Sequence, residues 1–560
     1  MVRVGQLPGE VPKYDPISGK ERLMSLCSDE VTARRYMGPF TLKEAMALFP
    51  EGLVVSSGFI ISKPKALTTA HRLVHNGSSR ESPNINGATV DDYQVRLDHT
   101  SYYLEMVREQ LRVAAGRPVF QVVADVSKCY RRFGVRSADR ARYCLRCDVQ
   151  KDAVVPFFDG NAASPVTTKT VKKGEMLIYC DTRLPFGMSA SVSSCVRITN
   201  FMRDLIKESI LGKAGTVAAY IDDFAIVGQK TVVDVAIAYQ RGLMIRVGLP
   251  ENIVKMQLVS QLSIYLGVVY NYNGLDGKAS IALTEKKCKA YLKHVNAVLS
   301  RPNIKFMKRT ELDSLVGKLA HCAQVFAQAK IFYQRLLAAL RINQGWKVPI
   351  GQQELDDLRW WKVLLMSHRG TVILDPADWQ NQDTHKIYTD ASSKTGYGCV
   401  WEGRYFFGSW DTDTCAAIAR EEISINELEL VCLNMALETW GKEMNGKRII
   451  FRCDNTSCVH NIEKESSQQT MRAALLRRLY VVAGMYGIQL KSTWIPTIKN
   501  LHADYLSRNK LTQFLSLPQK FPLLHVEDPC LDSVALLTDP LGPANPSSPE
   551  WTFSWQTVRN

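Results

Sequence analysis

The sequence predicts a multidomain α+β protein, on three observations. At 560 residues the chain exceeds one ordinary core, and the usual domain size of about 100 to 200 residues implies several units. Short runs rich in β-branched and aromatic residues recur between segments of helical period, and a second such alternation opens at Lys386 and closes near Arg508. With 46% hydrophobic and 22% charged residues, the chain can bury enough apolar surface to offset the entropy of ordering.

Residues 1–50 mix turn signals (Leu7-Pro8-Gly9, Pro16) with one amphipathic stretch over 42–48, and read as an extension leaning on the next domain. A β-rich segment at 54–61 leads into the basic loop Ser62-Lys63-Pro64-Lys65 and then His71-Arg72-Leu73-Val74, which predicts a hairpin presenting cations. Apolar runs at 119–123, 176–179, 217–221, 224–227 and 264–270 predict a central sheet. Leu312, Leu315, Val316 and Leu319 then fall at i, i+3, i+4 and i+7, the stripe of an amphipathic helix in a helical subdomain. Residues 511–560 turn Pro-rich, with acidic residues outnumbering basic ones, and read as a loosely ordered tail or linker.

The net charge of +15 creates a field suited to a polyanion, with nucleic acid the first partner to consider; a solvated basic surface is the plainer alternative. No run reaches the roughly 18 apolar residues that span a bilayer, and the N-terminal stretch lacks the apolar segment of a signal peptide. A soluble, intracellular protein is expected. The 14 cysteines are scattered through apolar segments and read as reduced, buried thiols. Cys144 and Cys147 form a C-x-x-C, but no nearby second pair completes a zinc site.

Two adjacent carboxylates, Asp222 and Asp223, sit between apolar strand-like runs, so a hairpin is their natural geometry. An isolated Asp-Asp is usually just a turn. Here the flanks would bury the charges against a sheet, where they need a compensating cation. Asp125 also ends an apolar strand, in Val122-Val123-Ala124-Asp125. Three such carboxylates make an oxygen-rich site for two Mg²⁺ ions, the arrangement that phosphoryl transfer uses.

Tyr220-Ile221-Asp222-Asp223 resembles the Y-x-D-D box of reverse transcriptases, and Asp125 to Tyr130 resembles their D-x-x-x-x-aromatic palm motif. Leu184-Pro185-Phe186-Gly187 is similar to the family's motif beneath the incoming nucleotide, and Tyr265-Leu266-Gly267 to the element that positions the primer. The resemblance implies that Lys63, Lys65 and Arg72 hold the triphosphate, that Lys255 protonates pyrophosphate, and that Tyr130 excludes a ribose 2′-hydroxyl. Five short motifs in the family's order carry it. Core packing beside Phe133 is the plainer reading of Tyr130.

A second set of carboxylates follows: Asp390 and Asp454 end apolar strands, Glu429 lies in a helical run, and Asp504 falls in His502-Ala503-Asp504-Tyr505-Leu506-Ser507-Arg508. Any one alone reads as a surface group or a helix cap. In the order Asp, Glu, Asp, Asp they resemble the metal-binding quartet of ribonuclease H, again a two-metal site with ions about 3.5 to 4 Å apart. Glu427 is a near neighbour of Glu429; Glu429 is preferred because E-L-x-x-L-x-x-A-L runs on behind it. Trp494-Ile495-Pro496 reaches Asp504 through only Thr497 to Leu501 and the adjoining His502, so the loop histidine of retroviral ribonuclease H domains is missing; His502 reads as a packing residue. The ending His-Ala-Asp-Tyr-Leu-Ser-Arg, Ile425 to Leu430 and the Trp360-Trp361 pair are similar to gypsy-like and DIRS-like retrotransposons.

The resemblance covers about residues 50 to 509. It implies a right-hand polymerase with fingers and palm at 51–275, a helical thumb at 276–345, a connection at 346–385, an α/β ribonuclease H domain at 386–509, and a tail at 510–560. The expected activity is RNA-directed DNA synthesis, also on DNA templates, with cleavage of the RNA strand of hybrids. The expected cofactor is Mg²⁺, two ions per site, with Mn²⁺ as a substitute. Expected partners are RNA template, DNA primer or product, RNA/DNA hybrid and dNTPs, with no membrane; the expected location is the cytoplasm, the nucleus or retroelement particles. The alternatives are a catalytically altered, retroelement-derived nucleic-acid-binding protein and an RNA-dependent RNA polymerase.

Overall fold

The computed structural model describes residues 16–64, 69–78, 85–88, 94–274, 278–326, 329–367, 371–372, 384–486 and 488–527. It is a mixed α/β structure with several sheets, and the chain divides into two compact units between Ser263 and Ile264.

In the first unit, the strands Gly215–Tyr220, Asp223–Gly228 and Phe120–Asp125 form an antiparallel sheet with Asp223–Gly228 in the middle. Its inner face, including Val122, Ala124, Val217, Ala219, Phe224 and Ile226, packs with Met202 and Ile206 of the helix Ser189–Ile206 and with the helix Lys230–Arg246. That second helix buries Val233, Ala236, Ile237, Gln240 and Met244, spaced to keep one stripe on the sheet. A second sheet has the order Tyr36–Thr41, Met176–Asp181, Cys144–Asp148, Val55–Ser56. The strands Gly58–Pro64 and Thr69–His75 form a separate hairpin.

Here three expectations change. Residues read as an extension supply an edge strand, because Tyr36–Thr41 pairs with the distant Met176–Asp181. Lys63 and Pro64, read as loop, continue a strand as far as Pro64; Lys65 lies outside the described residues. Cys129 and Cys195, expected as reduced thiols, form a disulfide, since the turn after Asp125 brings Cys129 onto the helix Ser189–Ile206.

In the second unit, the 264–270 run is not one strand. It folds back at Leu266-Gly267 into Leu262–Tyr265 and Val268–Asn271, because both turn residues take positive φ (+50° and +76°). The stripe Leu312, Leu315, Val316 and Leu319 is buried along the helix Arg309–Cys322. Trp360 and Trp361 are buried on the helix Gln352–Ser367, with Trp361 Nε1 donating to the Phe332 carbonyl at 3.1 Å. The largest sheet has the order Gln489–Trp494, Arg448–Cys453, Thr384–Ala391, Gly396–Trp401, Arg404–Ser409, Leu524–His525. The first three of its strands are parallel, and Thr384–Ala391, Gly396–Trp401 and Arg404–Ser409 are antiparallel. Part of the predicted tail therefore joins this unit: Leu511–Ser516 is helical, and Leu524–His525 extends the sheet edge. Among the described residues no helix is long and apolar enough to cross a membrane.

Candidate metal centres

The hairpin that carries Asp222 and Asp223 is closed by pairing of Tyr220 with Asp223, leaving Ile221 and Asp222 as a two-residue turn. Ile221 takes φ +59°, a conformation that costs a β-branched residue on the order of 1–2 kcal/mol. The adjacent strand places Asp125 directly opposite Asp223. Two backbone bonds fix the carboxylates' supports: Val126 N–H donates to the Asp222 carbonyl at 2.9 Å, and Asn252 N–H to the Asp125 carbonyl at 2.7 Å.

The three side chains converge, each offering an oxygen within 4.8 Å of the others. Burial, then the Asp222 and Asp125 charges, push Asp223 up to about 8; burial, then Asp125, raise Asp222. Like charges this close need a cation, and the Lys255 ammonium partly answers, 2.5 Å from Asp125 Oδ1. Partial burial works against the charge on Lys255, but the hydrogen bond to Asp125 and the charges of Asp125, Asp223 and Asp222 together outweigh it and raise its pKa. Asn252 Nδ2 donates to the other oxygen of Asp125 at 3.1 Å. The residues fit hard divalent cations: an all-oxygen donor set at the ends of adjacent strands, with charge left to neutralise.

Three further predicted residues meet one another. The Tyr130 and Phe186 rings pack edge to face with centroids 5.2 Å apart, and the Arg72 guanidinium lies 4.6 Å over the Phe186 ring. Burial, then the Asp222 charge, push the Tyr130 hydroxyl up to about 12. Tyr130 and Phe133 both pack against the sheet's core, as the plainer reading expects. Gly187 takes φ +96°, and a Cβ there would lie 2.1 Å from the His75 carbonyl oxygen, so only glycine fits. Lys63 pairs with Ala70 in the hairpin.

In the second unit, Leu266 and Gly267 form the turn after Tyr265, which is buried. The Leu266 carbonyl accepts from Lys287 Nζ at 2.7 Å, with His321 Nε2 at 3.3 Å. Burial, then Lys287, push His321 down to about 4.

Asp390 and Asp454 lie on neighbouring parallel strands, Asp390 within its strand and Asp454 just past the end of the other. Glu429 is buried on the helix Ile425–Trp440, its Oε1 accepting from Ala391 N–H at 3.4 Å. The geometry separates the two glutamates: Glu427 caps that helix through Ser424 and pairs with Arg472 at 2.6 Å. Asp504, on the helix Leu501–Ser507, pairs with Arg508 at 2.7 Å, and Thr497 Oγ1 donates to Asp454 at 2.7 Å. Ser507 donates its hydroxyl to Asp390.

Burial raises Asp390 to about 7, against the Ser507 hydrogen bond, and the Asp454 and Asp504 charges add to the rise. Burial, then Asp390 and Asp454, raise Glu429 well above the carboxylate range. Of the four predicted carboxylates, Glu429 and Asp454 offer ligand atoms within 4.8 Å of one another, while Asp390 and Asp504 fall outside that group. Sequence reasoning missed Cys453, whose thiol lies 3.7 Å from Glu429 Oε2 and groups with Glu429 and Asp454; its place directly before Asp454 was the available signal. His502 stacks edge to face on Phe514 and faces the Pro518 carbonyl, as a packing residue would.

No protein-family model and no curated protein matches the sequence. Among solved structures, the chain is similar to a foamy viral protease-reverse transcriptase dRH in complex with double-stranded DNA, at 13% identity and TM-score 0.44, covering 88% of this chain and 72% of that one. It is also similar to a foamy viral protease-reverse transcriptase with double-stranded DNA (13%, TM-score 0.42, 88% and 86%) and with an RNA/DNA hybrid (14%, TM-score 0.38, 87% and 55%).

Proposed function

We propose that the chain is an RNA-directed DNA polymerase with a fused ribonuclease H of the retrotransposon type, divided as fingers and palm (51–275), thumb (276–345), connection (346–385) and nuclease (386–509). The observation that carries this reading is the convergence of Asp125, Asp222 and Asp223 at the ends of paired strands, in a unit that also carries the Tyr130, Phe186 and Arg72 cluster. The second group, Glu429 and Asp454 with Cys453, and the Asp390 and Asp504 carboxylates whose charges act on it or on one another, support the nuclease.

Asp125, Asp222 and Asp223 would hold one pair of Mg²⁺ ions, and the quartet another, with Mn²⁺ as a substitute. When bound, such ions supply Lewis acidity to the attacking oxygen and neutralise charge on the leaving group. The chain's own side chains do the rest. Arg72, with Lys63 and Lys65, holds the triphosphate; Tyr130 takes the space of a 2′-hydroxyl, a clash built against the wrong substrate. Lys255 stays protonated on Asp125 and is the acid for departing pyrophosphate. Tyr265, Leu266 and Gly267 position the primer, their turn pinned by Lys287.

The test is extension of a labelled DNA primer on an RNA template with dNTPs and Mg²⁺, with the fate of labelled RNA followed on the same gel. Extension with RNA shortening is expected. Hybrid binding without extension overturns the polymerase reading, extension over intact RNA overturns the nuclease reading, and equal use of CTP and dCTP favours an RNA polymerase.

A further inference from the structure

The cluster of Tyr130, Phe186 and Arg72 is carried by three separate backbone segments: the turn Cys129–Arg132, the loop after Met176–Asp181, and the strand Thr69–His75. Beneath them runs one buried polar network. Arg131, next to Tyr130, turns its guanidinium inward with its side chain 8% exposed. Its Nη2 and Nε donate to Glu30 Oε2 at 2.6 and 3.1 Å, and its Nη1 donates to Asp181 Oδ1 at 2.5 Å. The same Nη1 reaches the carbonyls of Arg183 and Leu184, each at 3.3 Å, in the loop that leads to Phe186.

The network continues through Asp181, which is fully buried. Its Oδ2 lies 2.8 Å from His75 Nε2, a close charge contact without hydrogen-bond alignment, and that nitrogen also faces the Tyr36 hydroxyl at 3.1 Å; His75 Nδ1 faces Ser56 Oγ at 3.0 Å. Finally the His75 backbone N–H donates to the Phe186 carbonyl at 2.9 Å, closing the circuit under the aromatic pair.

Stability alone does not explain this arrangement. Well-packed apolar residues in place of a buried ion network are commonly as stable or more so, because desolvating the charges cancels most of their attraction. What the ions add is geometry. A planar guanidinium with five donors can hold two carboxylates and two carbonyls at fixed angles, which neither an apolar residue nor a lysine can do. The fixed quantity is the separation between the turn bearing Tyr130 and the loop bearing Phe186.

We propose that Arg131, acting through Asp181 and His75, is a positioning residue that sets the Tyr130–Phe186 platform and thereby the discrimination between deoxyribonucleotides and ribonucleotides. This rests on the polymerase reading. Lysine at 131 keeps the charge but loses the fork, so the platform shifts while the carboxylates stay paired.

The experiment measures kcat and KM for dCTP and CTP on one primer and template with full-length Arg131→Lys, using melting temperature and RNA cleavage as controls for folding. The expected result is a rise of about tenfold or more in KM for dCTP, a smaller change in kcat, and a fall in the dCTP to CTP efficiency ratio, with RNA cleavage unchanged. A folded Arg131→Lys enzyme with unchanged KM and ratio overturns the inference while leaving the polymerase reading intact. If Arg131→Lys does not fold, Ser56→Ala, which removes the hydroxyl's bonds to His75 Nδ1 and to the Cys144 carbonyl at the far end of the network, is measured instead. A raised KM with a lowered ratio then supports the inference, and unchanged values overturn it. An unaltered chain that extends no primer overturns the polymerase reading and the inference with it.

Discussion

Replacing Gly187 with alanine tests the platform by the smallest change of side chain. The new Cβ would lie 2.1 Å from the His75 carbonyl oxygen and 2.9 Å from Val74 Cγ1, at a backbone φ of +96°. The left-handed strain costs about 1–2 kcal/mol and the overpacking about 1–3 kcal/mol, so a loss of about 2–5 kcal/mol is expected. At about 2–4 °C per kcal/mol for a unit of this size, the melting temperature falls on the order of 10 °C. Relief requires the loop to withdraw by about 1 Å, and it carries Phe186 with it; misplacement on that scale costs a reaction up to roughly 100-fold. Thermal melting and steady-state dNTP incorporation measure the two effects. A Gly187→Ala chain with the melting temperature and dNTP KM of the unaltered chain would refute the contact on which the argument stands.

Asp125→Asn or Asp222→Asn should abolish DNA synthesis while hybrid binding, read by fluorescence anisotropy, persists; equal loss of both would remove these residues from a metal-holding role. Asp390→Asn or Asp454→Asn should stop RNA cleavage with primer extension retained, and cleavage that survives either change means that the quartet is misassigned. Tyr130→Val should raise CTP incorporation strongly and lower dCTP use only modestly, each tenfold change in the ratio being about 1.4 kcal/mol; an unchanged ratio sinks the steric gate. In a chelator, Asp223 (about 8) and Asp390 (about 7) have folded pKa values above the ordinary carboxylate range, so their stabilising contribution is full below about pH 4, is lost progressively as pH rises from there to 7 to 8, and changes no further above that. Melting temperature in chelator should therefore fall across that window and recover with millimolar Mg²⁺; a flat profile in both conditions contradicts it.

The carboxylate doublet was legible because its flanks are apolar: the 217–221 and 224–227 runs could only be strands, and two strands joined by two residues make a hairpin. That Asp125 lies opposite Asp223 follows from a register which sequence alone leaves open. The turn at Leu266-Gly267 was hidden because leucine carries no local signal for positive φ, and the only hint was a glycine inside an apolar run. The strand Tyr36–Thr41 and the Arg131, Asp181 and His75 network were hidden for another reason. Their partners lie far away in the chain, and the polar alphabet does not say which buried charge will meet which. Glu429 was preferred over Glu427 on pattern, and the structure supplies the physical distinction, since Glu427 spends its carboxylate on the helix cap and Arg472.

Two of the hairpin turns share a feature that bears on the proposed chemistry. Ile221 beside the doublet and Leu266 after the buried Tyr265 both take positive φ, where glycine would be free of strain and a bulky residue is not. Such conformations persist only when the surroundings over-determine them, and at both turns they do. Val126 N–H holds the Asp222 carbonyl, and Lys287 holds the Leu266 carbonyl. Glycine at either position would remove the strain and also widen the range of turns available, at a greater entropic cost of ordering. A bulky residue forced into one conformation gives up about 1–2 kcal/mol of stability and leaves the next backbone unit fewer alternatives. At Ile221 that next unit is Asp222, where the proposed reaction needs a carboxylate whose position does not wander. The cost in stability and the fixed geometry thus have one structural cause.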